Sequence, residues 1–137
     1  MMNPCNIERA KNIHMKILIA EDDAMMMASI KYQLKKEGYF VSTANNGREA
    51  MIAFEKENPD LVVTDIIMPH TSGLEFIGFI RSSYNNIPVL VLSALDEEDT
   101  VIEAFNLGAD DFLTKPVKPG ELSVRVKRLL KKAGKSA

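Results

Sequence analysis

The sequence is poor in the features that mark membrane, secreted and disulfide-rich proteins. Its 137 residues include no tryptophan and a single cysteine, Cys5. One cysteine excludes a disulfide within the chain and fits a reducing compartment. No apolar run approaches the ~20 residues that a membrane-spanning helix needs, and the first residues lack the apolar centre of a secretory signal. We therefore expect a cytoplasmic protein with no membrane segment.

The chain also lacks the positive net charge that favours polyanion binding and the glycine-rich turn that favours nucleotide binding. The formal net charge is −2, so direct nucleic-acid binding is not expected. The turn after the first strand segment carries acids instead of the glycines that let backbone N–H groups cradle a phosphate. No histidine or cysteine stands beside those acids, which argues against zinc. The length suits one domain with its own core.

Five apolar segments of strand length alternate with segments of helical periodicity. The predicted strands are 15–20, 39–44, 61–65, 88–93 and 110–114. The predicted helices are 24–37, one that precedes Pro59, one that begins at Gly73, 97–108 and 119–132. This alternation predicts an α/β domain with a parallel sheet covered by helices on both faces. The pattern divides the chain into three parts, namely an N-terminal extension (1–14), the domain (15–132) and a C-terminal tail (133–137).

Polar side chains follow four of the five predicted strands. Glu21 and Asp22 follow the first, Asp65 ends the third, Ser93 ends the fourth and Lys115 follows the fifth. The carboxyl ends of parallel strands meet at one edge, where open α/β sheets bind their ligands. The second strand brings no such residue and fits the sheet margin. The strand order 2-1-3-4-5 satisfies both conditions.

A metal explains why an apolar strand ends in an acid. A buried, unpaired carboxylate is costly, but Asp65 converging with the acids after the first strand offers the oxygen ligands that Mg²⁺ prefers. Lys115 beside these groups adds positive charge that suits an incoming phosphoryl group. Carboxylates act as nucleophiles in such chemistry and form an aspartyl phosphate. Ser93 offers a hydroxyl to the product, and Asp23 is better explained as the N-cap of the first helix.

The polar residues, taken in order, resemble a known motif set. From about residue 15 to 132 the chain is similar to response-regulator receiver domains of two-component signalling, which have a flavodoxin-like, doubly wound (βα)5 fold. The resemblance rests on Glu21-Asp22, on Asp65 followed by Met68-Pro69, on Ser93-Ala94 and on Lys115-Pro116. The segment GADDFLTKPVKPGELSVRVKRLLKK resembles receivers of the winged-helix transcription-factor class.

The resemblance implies a role for each residue of the cluster. Asp65 is the expected phosphoacceptor, which takes a phosphoryl group from a sensor histidine kinase or a phosphotransfer protein with Mg²⁺ as cofactor. Asp22 is the expected direct metal ligand and Glu21 an outer one through water, and the backbone carbonyl of Ile67 completes the site. Lys115 is expected to pair with the phosphoryl oxygens and to precede a cis proline.

The resemblance also implies an output. Ser93 and Phe112 form the expected switch pair, and the surface of the fourth helix, fifth strand and fifth helix is expected to bind a downstream effector or a second copy of the chain. In winged-helix relatives this surface dimerises through ion pairs between subunits. By position, Asp111 and Arg125 make one such pair. Two other pairs are incomplete, because uncharged residues stand opposite Glu121 and Lys127, namely Val101 and Asn106.

Two alternatives remain beside a free-standing switch. The first is a receiver module excised from a larger DNA-binding or enzymatic regulator. The second, a metal-dependent phosphatase with an aspartyl-phosphate intermediate, requires an aspartate two residues after the nucleophile, where this chain has Ile67. We therefore expect no enzyme activity beyond the domain's own phosphorylation and dephosphorylation. The bulky apolar residues Ile67 and Leu95 predict slow self-hydrolysis of the phosphorylated form.

Overall fold

Strands and helices alternate throughout the part of the chain that the computed structural model describes, residues 15–83, 85–94 and 97–134. The strands are β1 (Lys16–Ala20), β2 (Phe40–Ala44), β3 (Leu61–Asp65), β4 (Val89–Ser93) and β5 (Asp111–Thr114). The helices are α1 (Ala24–Lys36), α2 (Gly47–Glu57), α3 (Gly73–Arg81), α4 (Glu98–Leu107) and α5 (Pro119–Lys132). The predictions for 1–14, Leu95 and 135–137 fall outside the described residues.

The five strands form one parallel sheet in the order β2-β1-β3-β4-β5. This order confirms the prediction, and the predicted bounds differ from the observed ones by about one residue. Every residue of β3 and β4 is buried, whereas the edge strands β2 and β5 keep exposed positions. The continuous apolar sequences of the central strands therefore reflect coverage on both faces.

Two buried clusters lie on opposite faces of the sheet. One joins α1 and α5 to strand residues such as Ile19 and Val63. The other joins α2, α3 and α4 to the alternate residues, such as Leu18 and Val62. Side chains alternate between the two faces of a strand, and both faces are covered by these apolar clusters. Polar residues therefore lie mainly at the strand ends. No helix within the described residues is long and apolar enough to span a membrane.

Side-chain caps begin the helices that surround the strand ends. Asp23 Oδ1 accepts hydrogen bonds from the backbone N–H groups of Met25 and Met26 at 2.9 and 3.0 Å, which confirms the predicted N-cap. Asn46 caps α2 and Ser72 caps α3 in the same way. These caps fix where each helix starts relative to the strand before it.

Near the amino-terminal ends of β4 and β5, Arg81 joins the end of α3 to the segments that precede these strands. Its guanidinium donates to the carbonyl of Gly108 at 2.7 and 3.1 Å and to that of Ile87 at 2.8 Å. It also lies 3.0 Å from Asp110 Oδ2. Gly108 ends α4 with a φ of 117°, a backbone conformation that favours glycine. Arg81 therefore holds the C-terminal end of α4 in place.

Candidate functional site

Three carboxylates converge at the carboxyl ends of β1 and β3. One oxygen from each of Glu21, Asp22 and Asp65 lies within 4.8 Å of the others. The register pairs Ala20 with Thr64, so the residues that follow them lie side by side. Glu21 and Asp65 are 0% and 5% exposed, whereas Asp22 is exposed. The sequence-predicted acids thus form one cluster with two buried members and one facing solvent.

Lys115 lies between the two buried carboxylates. Its Nζ is 2.9 Å from Asp65 Oδ2 and 2.8 Å from Glu21 Oε1. Its backbone N–H donates to the Ser93 carbonyl at 2.7 Å, and the bond from Lys115 to Pro116 is cis, as predicted. The ammonium therefore balances both buried acids, and its contact with Glu21 is not indicated by the sequence.

The buried charges change each other's proton affinity. Burial, together with the neighbouring Asp65, raises the pKa of Glu21 from 4.5 to about 7, against the opposing effect of Lys115. Burial lowers the pKa of Lys115, but its hydrogen bonds to Glu21 and Asp65 outweigh burial, and the net pKa is raised. Lys115 is therefore a permanent cation here, while Glu21 gains a proton near neutral pH.

The cluster fits a hard divalent cation. All three side chains offer carboxylate oxygens, which suit Mg²⁺. Glu21 Oε2 is buried, and no described residue donates a hydrogen bond to it. A metal ion, a metal-bound water or another ordered water would satisfy an orphaned buried oxygen of this kind. The Ile67 side chain is 59% exposed, and the part assigned to its carbonyl stays a prediction.

The backbone holds Asp65 closely. The Ile66 N–H donates to Asp65 Oδ1 at 2.8 Å, and the Gly73 N–H donates to the Ile66 carbonyl at 2.6 Å. A Cβ atom on Gly73 would lie 2.0 Å from the Asp65 carbonyl oxygen. The start of α3 therefore packs against the phosphoacceptor candidate at a distance that only glycine allows. The sequence marks Gly73 as a helix start but does not indicate this contact.

The predicted switch pair lies beside this cluster. Ser93 is 2% exposed at the end of β4. A groove of about 270 Å³ separates β4 and β5 from α4, and Ser93, Ile102 and Phe112 line it. The Phe112 ring is 39% exposed and stands edge-on to Phe105, with centroids 6.0 Å apart. Phe112 is therefore in an outward position, next to a groove that reaches the serine.

The candidate ion pair of the dimer surface forms within the chain. Arg125 Nη1 lies 2.9 and 2.8 Å from the two carboxylate oxygens of Asp111. The Asp111 hydrogen bond raises the pKa of Arg125. The sequence suggested the same pair between subunits, and that contact between subunits stays a prediction. Asp111 lies on β5 and Arg125 on the neighbouring helix α5, so the two side chains meet within one chain.

The comparison with protein families agrees with this geometry. A family model described as the response regulator receiver domain matches residues 17–127. The chain belongs to the response-regulator receiver family. The match covers the sheet except for Lys16, together with the acid cluster and Lys115, and it confirms the family to which the motif set pointed.

Curated relatives that this chain resembles include transcriptional regulators. It is 39% identical over 118 residues to the alkaline phosphatase synthesis transcriptional regulatory protein PhoP of Bacillus subtilis, covering 86% of this chain and 49% of that protein. It is 38% identical over 122 residues to the transcriptional regulatory protein PrrA of Mycobacterium tuberculosis, covering 89% and 52%. The chain spans about half the length of these relatives.

Solved structures confirm the fold. The receiver domain of the Francisella response regulator 1452 aligns with a TM-score of 0.80 at 36% identity, covering 87% of this chain and 98% of that one. The chemotaxis response regulator CheY4 of Vibrio cholerae aligns with a TM-score of 0.79 at 31% identity, covering 85% and 98%. This receiver therefore has the predicted flavodoxin-like architecture.

Proposed function

We propose that this receiver is a phosphorylation-activated switch, in which Asp65 accepts a phosphoryl group from the phosphohistidine of a sensor histidine kinase or a phosphotransfer protein. The observation that carries the proposal is the cluster of Asp65, Glu21 and Asp22 around the Lys115 ammonium. Its carboxylates supply a nucleophile and oxygen ligands, and its lysine supplies a fixed positive charge. Phosphoryl transfer depends on this combination of positioning and charge neutralisation.

The transfer needs no further reactant. A carboxylate oxygen of Asp65 forms a bond to phosphorus while the phosphorus–nitrogen bond of the donor breaks, and the electron pair leaves with the imidazole. Mg²⁺, when bound, neutralises charge on the phosphoryl oxygens. Asp22 and Asp65 would hold the ion directly, together with the Ile67 carbonyl, and Glu21 would hold it through water. Hydrolysis of the acyl phosphate later restores the carboxylate.

Lys115 changes partners during the transfer. Its Nζ now contacts Glu21 and Asp65, and a phosphoryl group on Asp65 places stronger acceptors next to it. The lysine then pairs with a phosphoryl oxygen. Because this interaction is charge-assisted, it stabilises the phosphorylated state.

The signal leaves through Ser93. The phosphoryl group draws the Ser93 hydroxyl toward it, since a hydrogen bond to a charged acceptor is stronger than a neutral one. The groove beside Ser93 then admits the Phe112 ring, which now lies outside. Phenylalanine carries no hydroxyl, so burying its ring leaves no polar group unsatisfied. Phosphorylation thereby shifts a balance between two positions of one ring.

The changed surface binds a partner. Ile102, Phe105 and Phe112 are 52%, 40% and 39% exposed on α4 and β5, and exposed apolar groups of this kind mark interaction sites. The occupant is a downstream effector or a second copy of the chain. The transcriptional relatives are about twice as long as this chain. We therefore favour an effector as the occupant, namely a regulatory domain that is either attached to the receiver or on a separate protein.

Chemical shifts with and without the phosphate mimic beryllofluoride test the switch. We expect changes at Asp65 and Lys115 and also across residues 98–125. The variant Asp65→Asn serves as the control that must show neither. Chemical-shift changes confined to the pocket around Asp65 would refute the switch. The absence of any change when beryllofluoride is added would refute the role of Asp65 as phosphoacceptor.

A further inference from the structure

Thr64 is the one hydroxyl in β3, and none of the roles above uses it. It is 0% exposed in the central strand, on the face opposite Asp65 because side chains alternate along a strand. Its neighbours in register are Ala20 and Val91, so it lies among apolar side chains. Valine would fill the same volume without a polar group to satisfy.

The Thr64 hydroxyl is bonded to the peptide group that follows Asp65. Thr64 Oγ1 donates to the Asp65 carbonyl oxygen at 2.9 Å. The N–H of the same peptide group, on Ile66, donates to Asp65 Oδ1 at 2.8 Å. A peptide group is planar and rigid, so a bond that fixes its carbonyl also fixes its N–H. The hydroxyl therefore acts on the carboxylate through one peptide plane.

The Ile66 N–H has two acceptors to choose between. Besides Asp65 Oδ1 at 2.8 Å, it lies 3.3 Å from the Leu92 carbonyl on β4. The tilt of the peptide plane decides how the N–H is shared between them. With the hydroxyl holding the carbonyl, the N–H favours the carboxylate. Without it, the N–H is free to turn toward the ordinary ladder bond of the sheet.

The two oxygens of Asp65 are thereby held from two sides. Oδ1 accepts from the Ile66 N–H and Oδ2 lies 2.9 Å from Lys115 Nζ. When Lys115 turns to a phosphoryl oxygen, the Ile66 N–H still donates to Oδ1. We propose that Thr64 is a positioning residue, whose hydroxyl orients the Asp65 carboxylate for attack on phosphorus. The inference rests on the proposed function of Asp65.

The test compares Thr64→Val, Thr64→Ser and the unchanged chain, with acetyl phosphate as donor and Mg²⁺ present. Intact mass followed over time gives the maximal rate and the donor concentration for half-maximal rate. We expect Thr64→Val to lower the maximal rate about two- to twelve-fold, the range of one hydrogen bond, with the half-maximal concentration unchanged. Thr64→Ser keeps the hydroxyl and should restore the rate.

A second readout separates positioning from simple loss of packing. The Ile66 amide proton should resonate upfield in Thr64→Val, because its hydrogen bond to Asp65 Oδ1 is weakened. Thr43→Val on the exposed edge strand β2 makes the same chemical change away from the site and should alter neither this resonance nor the maximal rate. If Thr64→Val does not fold, Thr64→Ala removes the same hydroxyl and is measured in its place.

The outcomes are distinct. A Thr64→Val protein with an unchanged rate and an unchanged Ile66 amide overturns the positioning role while leaving Asp65 as acceptor. A rate that falls equally in Thr64→Ser overturns it too, because the hydroxyl is then not the cause. An unchanged chain that gains no phosphoryl group overturns the proposed function itself.

Discussion

Replacing Glu21 with glutamine should change how the stability of this receiver depends on pH. Glu21 is fully buried, and burial raises its pKa from 4.5 to about 7 in the folded protein. The folded state therefore holds a proton that the unfolded chain releases between these values. By linkage, the free energy of unfolding falls as pH rises through this window, and the stabilisation is complete only below pH 4.5.

The size of the effect follows from the difference between the two pKa values. At 1.36 kcal/mol for each pKa unit, this difference corresponds to about 3 kcal/mol. That is a large fraction of the roughly 5–15 kcal/mol that stabilises a typical domain. Glutamine has nearly the same shape and does not titrate, so Glu21→Gln should lack this component and be more stable than the unchanged chain at pH 8.

Urea unfolding at pH 5 and pH 8, with a chelator to remove divalent cations, measures the effect. Titrating groups that lie away from Glu21 contribute equally to both proteins, so the relevant quantity is the difference between the pH dependences of the two proteins. We expect the unchanged chain to lose about 2–3 kcal/mol more than Glu21→Gln between these values. Equal pH dependences would show that the Glu21 carboxylate is not destabilised by burial.

Three further changes have defined outcomes. Gly73→Ala should destabilise the fold by about 1–3 kcal/mol, because its Cβ would meet the Asp65 carbonyl at 2.0 Å. The control, Gly78→Ala in the same helix, enters open space and should stabilise the fold by about 0.5–1 kcal/mol. Equal thermal unfolding of the two variants would refute the packing argument. Arg81→Met should lower the free energy of unfolding in urea by about 2–4 kcal/mol, because its hydrogen bonds to the Gly108 and Ile87 carbonyls are lost. The control, Arg128→Met at an exposed position, should leave this free energy almost unchanged. A small loss in Arg81→Met would show that Arg81 does not hold α4 in place. Ile67→Asn should shorten the lifetime of the phosphorylated form, because an amide beside the site can orient water that isoleucine cannot; an unchanged decay rate would contradict this.

The sequence predicts the fold well because its signals are local. Apolar strands, helical periodicity and breakers such as Pro59 each act within a few residues, and parallel strands bring their carboxyl ends together. Polar residues at four of those ends, and none at the end of the second strand, predict the observed strand order. The same logic predicts that Glu21, Asp22, Asp65 and Lys115 share one edge, and they do.

What the sequence does not indicate depends on contacts between segments that are far apart. Gly73 resembles any helix start, and its necessity appears only when α3 packs on the Asp65 carbonyl. Arg81 resembles a surface residue until Gly108, 27 residues later, is seen to accept its hydrogen bonds. The contact between Arg125 and Asp111 within the chain is a further example, since the sequence does not distinguish it from a pair between subunits.

The most direct test of the account is whether Asp65 accepts a phosphoryl group. Intact mass is measured after the chain is incubated with acetyl phosphate and Mg²⁺, in parallel with Asp65→Asn and with Asp22→Ala. We predict that the unchanged chain gains the mass of one phosphoryl group, that Asp65→Asn gains none, and that Asp22→Ala gains little because a metal ligand is missing. A gain that persists in Asp65→Asn, or an unchanged chain that gains nothing, would contradict the account.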